Sequence, residues 1–480
     1  MPQMHHPKQV ARSGAVYTAA LVFQKILSFG YFSVLARALG PELLGAYIFA
    51  LSFAAFFSLV ADFGIVPLAI RTFSQDPAKQ KERFTALFGI RMFLAFAAIL
   101  ALHGVTLALG YGRELRILLA ITSVIMVMDA FTAYFYAVFR ARQNLFYEAL
   151  GTVIFQIIIF GAGLFVVSKT SDLRALLLVI GAGSLFHVIF SAVLIKRKTT
   201  LDFRLRINVP LAREWMERAA PFFLAAGFIK AYNTIDSILI KNLVGDEAVG
   251  LYAIPAKIVF TFPFVALAIT AAVYPAMSRY AVESEERLQS IFSRTLQLLF
   301  SVSLPIAVGI YLLADPIITV IWPEFSASIP ALKILIWAVV FLYVEFPFGS
   351  LLNATGNERA NTVNRCIQLT AFVGLNLILI PLYGFLGAVY ASLFCSILIV
   401  FLGWVRSRHI VPTFTARFAV SLVKIVAASA LMGQVVLYLR GEYSFLIIIP
   451  VAIILYGMLL LLLRAYTSED WQWLKSVVSR

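Results

Sequence analysis

LARALGPELLGAYIFA, residues 35–50, and IKNLVGDEAVGLYAIPA, residues 240–256, are two copies of one joint between a pair of apolar helices. At an offset of 205 residues Gly40 matches Gly245, Glu42 matches Glu247, Gly45 matches Gly250 and Tyr47 matches Tyr252. Each match has a physical reason. The first glycine suits a helix C-terminus that needs a left-handed residue. The acid two positions later falls in the first turn of the next helix, where the dipole favours negative charge. The second glycine lets two helices approach closely. A weaker echo follows at an offset of 213, between YFYAVFRARQN (134–144) and FPFGSLLNATGN (346–357).

Outward from these joints the sequence is a succession of apolar runs, each about 20 residues long, enough to cross about 30 Å of hydrocarbon at 1.5 Å per residue. The spans are expected at 14–36, 43–66, 84–107, 116–139, 147–167, 174–195, 219–241, 248–275, 292–313, 328–352, 360–380, 383–405, 416–438 and 444–464. The fold class is therefore an all-α polytopic membrane protein of about 14 transmembrane helices. Twelve result if two pairs are re-entrant. Composition agrees: 61% of the 480 residues are hydrophobic and 13% are charged, about half the charge of a soluble protein. A soluble chain this long could not cover its surface with so few charges. After the short basic N-terminal segment, the first apolar run has no small-residue cleavage site followed by a soluble domain, so that run reads as a retained helix.

Six spans separate the two copies, so both have the same orientation. This predicts a parallel repeat of six-helix lobes, a transporter arrangement with the substrate site between the repeats. The expected division is an N-lobe over 1–200 (helices 1–6), a C-lobe over 201–412 (helices 7–12), and a 413–480 segment holding helices 13–14 and a cytoplasmic tail. Of the 39 Lys and Arg residues, 26 fall in one set of alternate loops and 7 in the other, which predicts both termini on the cytoplasmic side. The net charge of +15 then faces the anionic inner leaflet, and no nucleic-acid partner is needed to explain it. Cys366 and Cys395 both fall within spans and have no nearby histidine; they read as packing residues, with no metal site and no disulfide.

Ionisable groups deep in a bilayer cost at least about 2.5–3.5 kcal/mol on insertion scales and usually face a cavity or a partner. Lys25 and Lys230 are 205 residues apart, each about 16 Å into its span. The two are expected to face one space and hold an anion, with Lys257 supporting. Arg91, Lys333 and Lys424 lie nearer span ends, where snorkelling competes. Asp129, Asp236 and Glu345 are the expected proton or ion-coupling acids, or neutralise the lysines. Asp62 is expected to cap its helix or to pair with Arg71 or Arg91. A cationic interior of Lys25, Lys230, Lys257 and Arg91 suits phosphate, pyrophosphate or an acidic sugar.

LGPELLGAYIFALSF (39–53), ADFGIVPLAIRTFS (61–74) and NTIDSILIKNLVGDEAVGLYAIPAKI (233–258) resemble the polysaccharide biosynthesis and export proteins of the multidrug/oligosaccharidyl-lipid/polysaccharide (MOP) superfamily, nearest the Wzx-type O-antigen or capsule repeat-unit flippases. The resemblance implies a V-shaped fold of two six-helix bundles and alternating access. Its implied substrate is an undecaprenyl-pyrophosphate-linked glycan, moved from the inner to the outer leaflet of a bacterial cytoplasmic membrane. Helices 13 and 14 would take the lipid tail. Implied partners are membrane lipid, a polysaccharide polymerase and a chain-length regulator; proton antiport is implied for some members and no cofactor is. Rival readings are a multidrug or lipid II-type exporter of the same superfamily, and a membrane polysaccharide polymerase or glycosyltransferase. The loops are too short for a sugar-nucleotide site, and no Gly-Lys-Ser/Thr phosphate loop occurs.

Overall fold

The computed structural model describes residues 7–203, 209–412, 415–467, 469–470 and 472–473. All regular structure among them is helical. In the first of two compact units, Met1–Lys241, the helices are α1 (Pro7–Asp62), α2 (Ile65–Gln75), α3 (Gln80–Ala108), α4 (Arg113–Ala141), α5 (Phe146–Val167), α6 (Leu173–Lys198), α7 (Val209–Tyr232) and α8 (Ile235–Leu243), the last running just past the division. In the second, Asn242–Arg480, they are α9 (Asp246–Val259), α10 (Pro263–Glu283), α11 (Glu285–Ile321), α12 (Ile329–Leu335), α13 (Ala338–Ala354), α14 (Glu358–Tyr383), α15 (Phe385–Ser407), α16 (Ala416–Leu439) and α17 (Phe445–Leu462).

Eleven of these stretches are long and apolar enough to cross a membrane, and two bent pairs raise the number to 13. The bent pairs are 212–243, broken by 43°, and 323–354, broken by 41°. The first stretch, Tyr17–Gln75, has 59 residues, about 88 Å as helix, nearly three times the hydrocarbon thickness. It breaks at Gly40, whose φ of 69° and ψ of 179° are non-helical. Read as two crossings, it makes the total consistent with fourteen. Arg204, Arg206, Lys475 and Arg480, which contribute to the charge count, lie outside the described residues, as do residues 413 and 414 at the expected start of the last segment.

The joints show the repeat in the backbone. Gly245 has φ 134° and ψ −177°, the same kind of conformation as Gly40. The expectation of a left-handed helical residue is corrected here: φ is positive, but ψ near 180° puts both in a region open essentially to glycine alone. Gly45, Gly250, Tyr47 and Tyr252 are all buried. The weaker echo sharpens in the same way. Gln143 (φ 56°) and Gly356 (φ 75°) are matched and both have positive φ. The Asn144 amide donates to the Phe139 carbonyl and the Gln143 amide to Arg140; the Asn357 amide donates to Leu352 and the Gly356 amide to Asn353. Both are Schellman closures, bond for bond. We expect Gly40→Ala and Gly245→Ala each to cost about 1–3 kcal/mol from backbone strain, seen as a lower unfolding midpoint in detergent. Gly104→Ala, with open space around its Cβ position and a helical backbone, should not lower it.

In the first unit a buried apolar cluster forms where α2, α3, α4 and α7 meet. Ile65, Leu68, Phe73, Phe84, Tyr134 and Trp215 are buried there. In the second unit α11 has 37 residues, about 55 Å, so part of it extends beyond about 30 Å of hydrocarbon. Its early start follows from Ser284, whose hydroxyl accepts the Arg287 amide at 3.3 Å, and from Glu285 and Glu286 in the first turn. That is favourable N-terminal chemistry.

Candidate functional site

The ADFG segment closes α1 and builds one wall of a cavity in the first unit. Phe63 (φ 43°) and Gly64 (φ 73°) are both left-handed and turn the chain from α1 into α2. Phe63 stacks on Phe223 of α7, with ring centroids 4.4 Å apart. Gly64 sits against the α7 backbone, where an added Cβ would lie 2.6 Å from the Ala219 carbonyl oxygen. The cavity has a volume of about 440 Å³, with Asp62, Arg91, Asp129 and Lys230 among its lining residues. That size suits a small ligand or a head group.

Arg91 is fully buried, and its Nη1 donates to Asp62 Oδ1 at 2.7 Å. Nη2 donates to the Ala130 carbonyl oxygen. The guanidinium carbon lies 5.8 Å from the Tyr134 ring centroid, within cation–π range. Tyr134 is fixed in turn by its hydroxyl, which donates to the Phe84 carbonyl at 2.7 Å. The Asp62 pairing is thus with Arg91, while Arg71 is exposed. Asp129, on α4, is open to the cavity and accepts the Ser184 hydroxyl of α6 at 2.7 Å. Lys230, half-buried on α7, is within electrostatic reach of Asp129 and Asp62. Two cations, Arg91 and Lys230, and two acids, Asp62 and Asp129, therefore line this space among the described residues. An acid beside each basic group lowers the cost of burial and leaves Lys230 a charge that an entering anion can share.

Other expected site residues lie elsewhere. Lys25, on α1, is exposed and is not part of the cavity lining. Its sequence match to Lys230 does not bring it to the same cavity. Asp236 is buried at the start of α8, where it accepts the Ser237 amide at 2.6 Å. Lys257 is half-buried in the last turn of α9, in the second unit. Glu345 is buried and holds Arg365 Nη1 at 2.8 Å, so its charge is already committed. Lys333 pairs with Asp315 at 2.7 Å, and Lys424 Nζ donates to the Arg464 carbonyl at 3.0 Å. Ser184 was missed in the sequence because a single serine within an apolar span normally bonds its own helix backbone.

A profile of the polysaccharide biosynthesis protein family matches residues 10–281, more than half of the chain. The chain belongs to the polysaccharide biosynthesis protein family. A MatE profile also matches residues 221–382 of this family member. Among relatives, a candidate O-antigen transporter of Shigella flexneri is 25% identical over 157 residues, 32% of this chain and 37% of that one. The teichuronic acid biosynthesis protein TuaB of Bacillus subtilis (strain 168) is 30% identical over 125 residues, 25% of this chain and 26% of that one. The matches thus span about a third of those relatives' lengths or less. The lipid II flippase MurJ has the same fold, with a TM-score of 0.74 at 18% identity over 93% of this chain and 98% of that one. This polysaccharide biosynthesis protein is therefore a multi-pass membrane protein with a MOP-superfamily fold.

Proposed function

We propose that this protein is a flippase that moves a polyprenyl-pyrophosphate-linked oligosaccharide from the inner to the outer leaflet of the cytoplasmic membrane by alternating access. It would serve assembly of a surface polysaccharide. The observation that carries the reading is the Asp129–Lys230 cavity beside the Arg91–Asp62 pair, in a chain of a polysaccharide biosynthesis family. A pyrophosphate entering it would gain charge-assisted hydrogen bonds from the Lys230 ammonium. The family membership favours a glycan-bearing head group over a multidrug cargo. Both termini lie on the cytoplasmic side in this reading, from the excess of basic residues in one loop set. The lobes 1–200 and 201–412 move as the alternating elements, and a polymerase and a chain-length regulator act downstream.

Within the cavity the roles divide by geometry. Lys230 holds the anion. Arg91 is enclosed and engaged on two sides, so it positions the end of α1 and does not bind cargo. Asp129 is the acid best placed to exchange a proton with the cavity, since it lines that space and Asp236 and Glu345 do not.

Deleting the gene is expected to make the lipid-linked repeat unit accumulate on the inner leaflet and to deplete the surface glycan, as read by lipid extraction and mass spectrometry. No accumulation with normal surface glycan would count against the flippase reading. In the complemented strain, Lys230→Ala should reduce export roughly tenfold, on the scale of a charge-assisted hydrogen bond of about 1.5–3 kcal/mol. Lys230→Arg should keep part of it, and Lys25→Ala should have the smaller effect. Normal export by Lys230→Ala would remove this lysine from the site and leave the flippase reading in place.

A further inference from the structure

The second unit holds a cavity of about 540 Å³ where α10 ends and α11 begins. Arg279 and Tyr280 of α10, Arg287 and Arg294 of α11, and Trp473 are among its lining residues. Small apolar residues one turn earlier on α10, including Ala272 and Ala276, line it as well. The sequence alone gives these arginines as ordinary members of the basic loop fringe. The structure gathers them around one space.

Their charges are unequally satisfied. Arg294 is held by Glu469 at 3.1 Å and Asp470 at 3.2 Å, and Arg417 shares the same two acids. Arg279 reaches Glu283 at 3.6 Å, with both side chains half exposed, a weak interaction. Arg287 has no carboxylate within ion-pair distance among the described residues. Both of these guanidiniums gather on one ring: Arg279 lies 4.8 Å and Arg287 6.0 Å from the Tyr280 centroid. Two like charges gathered on one ring repel, and an anion close to both would relieve that. Glu285 and Glu286 are nearby in the first turn of α11 but do not line the space.

We propose that this pocket binds the phosphate head group of an acidic membrane phospholipid, with Arg279 and Arg287 on the phosphate and an acyl chain along α10. The apolar lining separates a lipid from a free phosphate ion, which would gain nothing from Ala272 and Ala276. The pocket also lies at the end of a candidate span, Asp246–Glu283. Tyrosine and tryptophan beside basic residues are head-group-level chemistry. The charge count assigns this end to the cytoplasmic side, where anionic lipid is concentrated. Just before Trp473 in the chain, Asp470 accepts the Thr467 hydroxyl at 2.8 Å and pairs with Arg294 at 3.2 Å. The site therefore ties the C-terminal tail to the start of α11.

The test needs no transport assay. The full-length protein is placed in phosphatidylcholine nanodiscs with rising fractions of dibrominated phosphatidylglycerol or dibrominated phosphatidylcholine. Quenching of Trp473 is taken as the difference between the wild type and Trp473→Phe. Phosphatidylglycerol should quench at a roughly tenfold lower fraction than phosphatidylcholine, the attraction expected from one or two basic side chains. Arg279→Gln with Arg287→Gln should abolish this preference, and the matching lysine pair should retain most of it. Arg287→Gln alone breaks no ion pair and gives the same reading at smaller amplitude if the double variant does not fold. Equal quenching by the two lipids, or a preference untouched by the glutamine substitutions, overturns the proposal. So does full reversal by inorganic phosphate where potassium chloride of equal ionic strength has no effect, because that marks a site for free phosphate.

Discussion

Asp62→Ala should destabilise the protein by about 3–5 kcal/mol, the range for stranding one member of a buried ion pair. Arg91 is fully buried and its Nη1 lies 2.7 Å from Asp62. A guanidinium cannot relieve its burial by losing a proton. Once the carboxylate is gone, the Ala130 carbonyl and the Tyr134 ring are what is left to it among the described residues. The reverse change is milder in charge terms, because the Asp62 side chain is 29% exposed and can be hydrated from the cavity. Arg91→Ala should therefore cost less than Asp62→Ala apart from the void it leaves. Asp62→Leu combined with Arg91→Met should recover most of the loss, since a packed apolar pair can match a buried ionic one. Unfolding midpoints of purified variants in detergent would check this. Asp62→Ala within about 1 kcal/mol of wild type, the range of an exposed pair, would mean that the pair is solvated and carries little.

Gly64→Ala is expected to be comparably severe, for reasons unrelated to charge. The residue has φ 73°, and its added Cβ would lie 2.6 Å from the Ala219 carbonyl oxygen and 2.7 Å from the Phe223 amide nitrogen. Both obstacles are backbone, so no rotamer change can clear them. Left-handed strain costs about 1–3 kcal/mol, and overpacking adds a further ~1–3 kcal/mol. Relief requires α7 to move off the α1–α2 turn, which opens the cavity beside Lys230 and separates Phe63 from Phe223. Gly227→Ala on the same helix meets nothing within 4 Å and should be neutral or slightly stabilising, since alanine is the better helix former. An unfolding midpoint for Gly64→Ala equal to that of Gly227→Ala would show that α7 gives way easily.

Much of this protein was determined by its sequence alone. Apolar runs of membrane length dictate helices because no other open structure satisfies its backbone in hydrocarbon, and the expected spans reappear as helices or bent helix pairs. The joint at Gly40 and Gly245 was legible because only glycine tolerates that backbone, which makes its identity and spacing visible in both copies. The Gln143–Gly356 closure was barely legible, since one copy uses glutamine where the other uses glycine. Only the tertiary structure decided which charges share a space. Depth along a span is linear in sequence, so Lys25 and Lys230 matched in depth. The direction in which a side chain points depends on helix rotation and on the bends at Phe63, Gly64 and 212–243, and no residue spacing encodes these. The Asp62–Arg91 pair spans 29 residues, the Asp129–Ser184 bond 55, and the Arg279–Arg287 pocket is completed by Trp473 from the far end of the chain. Such contacts arise when separate helices pack. The sequence therefore specified the spans and the turns, while packing chose the partners of the buried charges.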